Sequence, residues 1–360
     1  MKFERTFIIA EAGVNHNGSL DLAKQLIDVA VKAGADAVKF QTFKAEKLTC
    51  FETPMAEYQI KNTGVLESQY EMLKRLELDE ADHKQLIEYC NSKKIQFLST
   101  PFDLESIDLL VKKFNLPMIK IASGDITNAP LLLKAAQTGK PIILSTGMSD
   151  LGEIESALGV LAFGYLGVNS SPSRKAFKEA YFSQEGQTIL KNKVSLLHCT
   201  TEYPASFSDI NLRAINTLRD AFGVSIGFSD HSPGIAISIA AVAREASIIE
   251  KHFTLDRNLP GPDHKASLEP NELKLMVESI RQVELALGSP PKTPSPSEFK
   301  NIAIARKSLV AACDLKKGGQ WDEGNLAVKR PGNGVSPMNY WDYLGRTILT
   351  DYKKDELIRE

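Results

Sequence analysis

The chain is short of the features that announce several common classes of protein. Its four cysteines, Cys50, Cys90, Cys199 and Cys313, stand far apart and form no CxxC pair, which argues against a zinc knuckle or a disulfide framework. No stretch approaches the ~20 consecutive apolar residues that span a bilayer. The first residues, MKFERTFIIAEAG, pair too short an apolar run with too early a glutamate for a secretory signal. An excess of one charge is lacking too. Lysine plus arginine number 43 against 45 aspartate plus glutamate, a formal net charge of −2 over 360 residues. Neither nucleic acid nor an anionic membrane is recommended as the main partner. The expectation is a cytoplasmic protein with reduced thiols.

What is present is a repeated pattern. Short β-branched runs end in polar residues and are followed by amphipathic helical stretches. The runs predicted as strands are 7–14, 37–43, 95–101, 118–123, 141–147, 194–200, 224–230 and 248–254, with helices between them. Eight such units in roughly 290 residues fit a closed (β/α)8 TIM barrel. The rival, an open doubly wound sheet, carries a GxGxxG loop after its first strand; here that loop reads EAGVNHNG. The expected organisation is a barrel over 1–287, an extended Pro/Ser-rich linker over 288–300, and a small domain over 301–360. Two interruptions, 44–78 and 159–192, enlarge the loops. The first follows a strand, on the barrel face where chemistry sits; the second extends a crossover, where packing is the commoner role.

Polar residues at the C-terminal ends of barrel strands face one shared pocket. Read in order, these are Glu11, Lys39 and Gln41, Thr100, Lys120 and Ser123, Thr146, His198 and Thr200, Ser229 and His231, and Glu250 and His252. A buried ammonium is costly unless it is paired or meets an anion. Lys39 and Lys120 therefore point either to a phosphate or carboxylate ligand, or to internal pairs with Glu11 or Glu250. His231 and His252 end consecutive strands and could share a divalent metal; each could equally be a hydrogen-bonded core histidine. His198 reads as packed, and His16, His83 and His264 as solvent-facing. Asp263, in the loop PGPDHKAS, either faces the pocket mouth or caps its own turn. Either lysine could also form a Schiff base, as in an aldolase.

The same residues carry a family resemblance. EAGVNHNG, VKFQT, STPFD, KIASGD, PIILSTGM, LLHCTTEYP, GFSDHS, IEKHFT, GPDHKAS and VKRPGNG occur in an order that resembles the sialic acid (N-acetylneuraminate) synthase family, its legionaminate-forming branch included. The last sixty residues resemble that family's antifreeze-like (SAF) domain. The resemblance implies condensation of phosphoenolpyruvate with an N-acetylmannosamine-type sugar and water, giving a nine-carbon 2-keto-3-deoxy acid and phosphate. It implies that Lys39, Thr100, Lys120 and Ser123 hold phosphoenolpyruvate, and that His231 and His252 bind a divalent metal, manganese first, with magnesium or cobalt as substitutes. Glu11, Gln41, Tyr203, Glu250 and Asp263 would surround the sugar and reacting carbons, with Glu11, Glu250 and Asp263 in catalytic roles. Thr201 and Ser229 would complete the substrate site. Arg330 would reach the sugar's N-acetyl group from the partner subunit, which implies a domain-swapped homodimer.

Some positions depart from the sialate-forming pattern. Phe40 and Phe43 replace histidines, Thr201 an asparagine and Asp125 a glutamate. KFQTF and HCTTEYP are more similar to enzymes that make legionaminate from a 2,4-diacetamido-2,4,6-trideoxy sugar. Sialate synthesis is taken as the first reading and legionaminate synthesis as the alternative. A Schiff-base aldolase, or a carbohydrate- or ice-binding protein with an inactive barrel, stand as rivals.

Overall fold

Strands in this chain alternate between two apolar environments, and that alternation builds the architecture. A computed structural model describes residues 4–167 and 169–359; Met1–Phe3, Val168 and Glu360 lie outside the described residues. The chain forms two compact units, Met1–Gly288 and Ser289–Glu360. The first holds eight parallel strands: β1 (Phe7–Gly13), β2 (Ala37–Thr42), β3 (Gln96–Pro101), β4 (Ile119–Ile121), β5 (Ile142–Ser145), β6 (Val194–Cys199), β7 (Ser225–Asp230) and β8 (Ile248–His252). Their ladder runs β3-β2-β1-β8-β7-β6-β5-β4. Its two ends, β3 and β4, lie alongside each other, so the sheet curls into a TIM-type barrel.

One phase of the alternation points outward. Ile8, Ala10, Val38, Phe40, Phe97, Leu144, Leu196, Phe228 and Ile249 join the helices in one large core. The other phase points inward and changes character with height. Low in the barrel it is apolar, with Ile9, Ala37, Leu98, Ile143, Leu197 and Ile248 in a separate cluster. Two residues further along each strand stand Glu11, Lys39, Thr100, Ser145, Cys199 and Glu250. An apolar floor thus lies beneath a polar storey.

The helices obey local rules. Ser19 starts α1 (Leu20–Ala33) by accepting from the Leu22 amide, and Gly34 ends it at φ +80°. The first interruption folds as α2 (Ala45–Leu48), α3 (Glu57–Thr63) and α4 (Gln69–Leu76), ahead of α5 (Glu80–Lys93). Val14, Phe43, Met55, Met72 and Leu76 form its own apolar cluster. After α6 (Leu104–Asp108) and α7 (Ala129–Gln137), the crossover helix α8 (Leu151–Leu166) is followed by α9 (Arg174–Phe182) and α10 (Gln184–Lys193). Residues Ala157 to Gly164 of α8 are all buried. Gly159 lets it approach α9 closely, since a Cβ there would stand 3.0 Å from the Phe177 carbonyl oxygen. The second interruption is thus helical packing against α8. The barrel closes with α11 (Ala214–Phe222), α12 (Ala236–Ala243) and α13 (Pro270–Leu287).

The second unit pairs β9 (Ser308–Ala311) antiparallel with β10 (Leu326–Lys329), around a core of Leu309, Trp321, Leu326, Val335, Ile348, Tyr352 and Ile358. The expectation of an extended linker through residue 300 is corrected here: a helix, α14 (Pro296–Ala305), begins inside it. Ser295 and Glu298 form a capping box and Pro296 occupies the first helical position, a start signal hidden in a Pro/Ser-rich run. No helix among the described residues is long and apolar enough to cross a membrane.

Candidate active site

The polar storey is an ionic network. Register places Glu11 beside Lys39 and His252, and Glu250 beside Ser229. Lys39 Nζ lies 2.7 Å from Glu11 Oε2 and 3.6 Å from Glu250 Oε2, and donates to Thr100 Oγ1 at 3.0 Å. Lys120 Nζ donates to Ser145 Oγ at 2.7 Å and stands 3.5 Å from Glu250 Oε1. Ser229 Oγ donates to Glu250 Oε1 at 2.9 Å. Every one of these side chains is buried. The internal-pair alternative for the lysines is therefore realised in this structure, in a shared form: two ammonium groups face two carboxylates.

Burial and charge divide the titrations. Burial pushes Glu11 up, against the opposing pull of Lys39. Burial also works to raise Glu250, but Lys120 and Lys39 outweigh it and hold it down. Lys39 loses by burial and gains more from Glu11 and Glu250, so it stays charged. Lys120 is lowered by burial. Raised to about 7, Glu11 passes between a carboxylate that leaves the quartet neutral and an acid that leaves it one net positive charge, the form that suits an anion.

Above it stand two imidazoles. The His231 and His252 ring centroids are 5.5 Å apart, and burial lowers both pKa values, His231 to about 4 and His252 well below the usual range. Neutral imidazoles are the form that binds metals. His231 Nδ1 donates to the Thr200 carbonyl at 2.6 Å, which leaves Nε2, 3.4 Å from Ser229 Oγ, as the acceptor nitrogen. His252 Nδ1 is buried with no hydrogen-bond partner. Gly13 leaves space beside it; a Cβ there would meet Glu11 Oε1 at 3.3 Å and His252 Nδ1 at 3.5 Å. Orphaned imidazole nitrogen, second neutral imidazole and adjacent cradle fit a divalent cation. Among the described residues no group of three His, Cys, Asp or Glu side chains forms a fuller cage, so two protein ligands would leave positions open for water and substrate.

Aromatic rings and a carboxyl wall this centre. Tyr203 packs on His231 with centroids 4.2 Å apart, and Tyr58 on Tyr203 at 5.1 Å. Asp263 Oδ2 lies 4.0 Å from His252 Nδ1, and burial raises its pKa to about 6. It faces the imidazoles rather than capping its turn. Its loop is tied down by Asn62 Nδ2 on the Pro262 carbonyl and by Ser267 Oγ on its own carbonyl. Gln41 is half-buried on the inward phase of β2. Ser123 Oγ contacts Cys199 Sγ at 3.1 Å and accepts from the Gly147 amide. Thr201 is exposed, with its hydroxyl against Gly147.

Several expectations are corrected. Thr146 does not face the pocket, because its hydroxyl donates to the Leu197 carbonyl; Ser145 holds the inward position instead. His198 is packed as expected, with Nε2 donating to the Ile210 carbonyl. His16, His83 and His264 are buried rather than solvent-facing, each with a hydrogen-bond partner. Arg330 lies in the second unit, exposed, its Nε donating to the Ala305 carbonyl. Sequence reading missed Ser145 and Tyr58. Counting by two from Ile143 finds Ser145; nothing periodic marks Tyr58, which lies on the inserted α3.

A parallel barrel with paired lysines, carboxylates and neutral imidazoles at its C-terminal face defines an enzyme acting on an anionic substrate. Comparison with known proteins makes the class specific. Residues 26–292 match the NeuB family and residues 306–360 the SAF domain. The N,N'-diacetyllegionaminic acid synthase of Campylobacter jejuni is 53% identical over 99% of this chain and 100% of its own length. Its counterpart from Legionella pneumophila is 46% identical over 95% and 90%. The crystal structure of the N-acetylneuraminic acid synthetase of Leptospira borgpetersenii is 37% identical, covers 83% of this chain and 90% of its own, and superposes with a TM-score of 0.66. The chain belongs to the NeuB family. It is an enzyme, a phosphoenolpyruvate-dependent nonulosonic acid synthase that forms a carbon–carbon bond. The order of the two substrate readings is reversed by these relatives, which favour the legionaminate branch over the sialate branch.

Proposed function

We propose that the chain condenses phosphoenolpyruvate with a 2,4-diacetamido-2,4,6-trideoxymannose to give N,N'-diacetyllegionaminate and phosphate. The observation that carries this reading is end-to-end identity of 53% with a synthase of that product. Its support in the fold is the Lys39–Glu11–Glu250–Lys120 quartet beneath two neutral imidazoles.

In this reading phosphoenolpyruvate lies against Lys39 and Lys120, with Thr100 and Ser145 aiming the two ammonium groups and Ser123 nearby. His231 and His252 hold a divalent cation, whose chemistry when bound is polarisation of the sugar's aldehyde oxygen. C3 of the enolpyruvate bonds to the aldehyde carbon, and positive character grows at C2. Glu250, kept ionised by the lysines, stabilises that charge. Glu11, in its ionised form, orders the water that adds to C2 and takes its proton, which passes to the oxygen left by the aldehyde. The C2–O bond to phosphate then breaks as the C2 hydroxyl becomes the ketone and its proton leaves with the phosphate, whose charge Lys39 and Lys120 offset. Tyr203, Gln41, Thr201 and Ser229 line the sugar's path, and Asp263 anchors a sugar hydroxyl. The enzyme acts as a cytoplasmic homodimer in which the partner subunit's Arg330 meets an N-acetyl group.

Phosphate release tests the reading, with manganese present and both sugars offered. The trideoxy sugar is expected to give a kcat/KM at least about tenfold above N-acetylmannosamine, the scale on which a methyl-for-hydroxyl exchange is discriminated. Preference for N-acetylmannosamine would restore the sialate reading, and silence with both would remove this substrate class.

A further inference from the structure

Directly behind the two imidazoles lies a second ionic group that the chemistry above does not use. Asp230 and Lys251 each precede a histidine, His231 and His252, and they face one another in the β7–β8 register. Alternation turns both away from the barrel interior. With Ser232 and Ser238 they are 0% exposed. Lys251 Nζ lies 3.1 Å from Asp230 Oδ2 and also donates to the Ser232 carbonyl. Asp230 Oδ1 accepts from the Ser232 amide at 2.8 Å and from Ser232 Oγ at 2.6 Å. Asp230 Oδ2 accepts from Ser238 Oγ, on α12, at 2.6 Å. The carboxylate thus takes four donors.

A fully buried ion pair is a poor source of stability, because removing two charges from water offsets much of their attraction. What these bonds secure is geometry. They loop around His231: the residue before it grips the amide and hydroxyl of the residue after it. Lys251, on the strand of His252, grips the carbonyl of that same residue. His231 is further fixed through Nδ1 on Thr200 and through its own carbonyl, which accepts from the Ala205 amide. His252 has no such side-chain anchor, since its Nδ1 is unpartnered. Its ring is placed by the backbone of β8, and Lys251 ties that backbone to the His231 turn.

We propose that Asp230 and Lys251 are positioning residues that set the spacing of His231 and His252 for a shared divalent cation. The inference rests on the metal reading of those two histidines. Outer partners of this kind are worth about 10- to 100-fold in metal affinity.

The test is Mn2+ binding, followed by the electron paramagnetic resonance signal of the free ion, in wild type, His231→Ala and the double variant Asp230→Asn/Lys251→Met. The double variant removes both charges together, so neither is left buried alone. It is expected to fold, to bind Mn2+ about 10- to 100-fold more weakly, and to regain kcat when Mn2+ is raised in proportion. Wild-type affinity in the folded double variant would overturn the inference. If that variant does not fold, Ser238→Ala removes one donor at a distance from the histidines; a threefold or greater loss of Mn2+ affinity supports the inference, and unchanged binding overturns it. Should wild type fail to bind Mn2+, or His231→Ala bind it equally well, the metal reading itself falls and this inference falls with it.

Discussion

Lys39 Nζ bridges Glu11 Oε2 at 2.7 Å and Glu250 Oε2 at 3.6 Å, so one ammonium serves carboxylates from two adjoining strands that titrate in opposite directions. Replacing Glu11 by Gln keeps the shape and removes the group proposed to take the water's proton. The expected result is a kcat lowered by at least about 100-fold. The KM for phosphoenolpyruvate should hold or fall, because the variant quartet keeps its positive charge at every pH where Glu11 would have ionised. Steady-state phosphate release reads both constants; a KM that rises as far as kcat falls would place Glu11 in binding instead.

Ser145→Ala removes the hydroxyl that accepts from Lys120 at 2.7 Å. That bond to a charged donor is worth about 1.5 kcal/mol, so KM for phosphoenolpyruvate is expected to rise about tenfold. The kcat should change by less than about threefold, as for lost uniform binding. An unchanged KM would mean that Lys120 is aimed by the backbone alone.

Chelation should silence phosphate release, and Mn2+ should restore it. His231→Ala and His252→Ala should each lower kcat/KM by about 1,000-fold, the scale of a lost electrostatic stabiliser. Activity that survives both the chelator and the substitutions would remove the metal from this site.

Acid should weaken the fold. Burial lowers His16 and His264 from the ordinary 6.5 to about 4; His83 and His264 press His16 further down, while Asp256 partly offsets the effect at His264. Between those values the unfolded chain binds protons that the folded chain refuses, so stability rises with pH. The contribution is complete above about pH 6.5 and disappears as pH falls toward 4. For His16 it amounts to about 3 kcal/mol. Urea unfolding from pH 7 to 4 should show the slope, and His16→Asn should flatten it; an equal slope in the variant would exclude His16.

Strand order and the polar storey were legible because inward positions of β2 and β8 repeat their chemistry at a spacing of two, as Lys39/Gln41 and Glu250/His252. The choice between Ser145 and Thr146 was not legible, since both are hydroxyls at one strand end and only the ladder sets the phase. Nor were the buried histidines. His83 belongs to a helix of largely polar sequence, and the Thr42 hydroxyl that receives it comes from a distant strand. Tyr58 gains meaning only from its stack on Tyr203, a contact between an inserted helix and the loop after β6. The helical start inside the Pro/Ser-rich segment was legible from Ser295, Pro296 and Glu298, but composition masked it.

The layer of Ile9, Ala37, Leu98, Ile143, Leu197 and Ile248 makes the barrel a vessel sealed at its base. With that base closed by apolar side chains, the proposed ligands of the polar storey would all enter from the C-terminal face. If phosphoenolpyruvate rests against Lys39 and Lys120 as proposed, the deeper of the two substrates would have to bind first, an order that steady-state inhibition patterns would read.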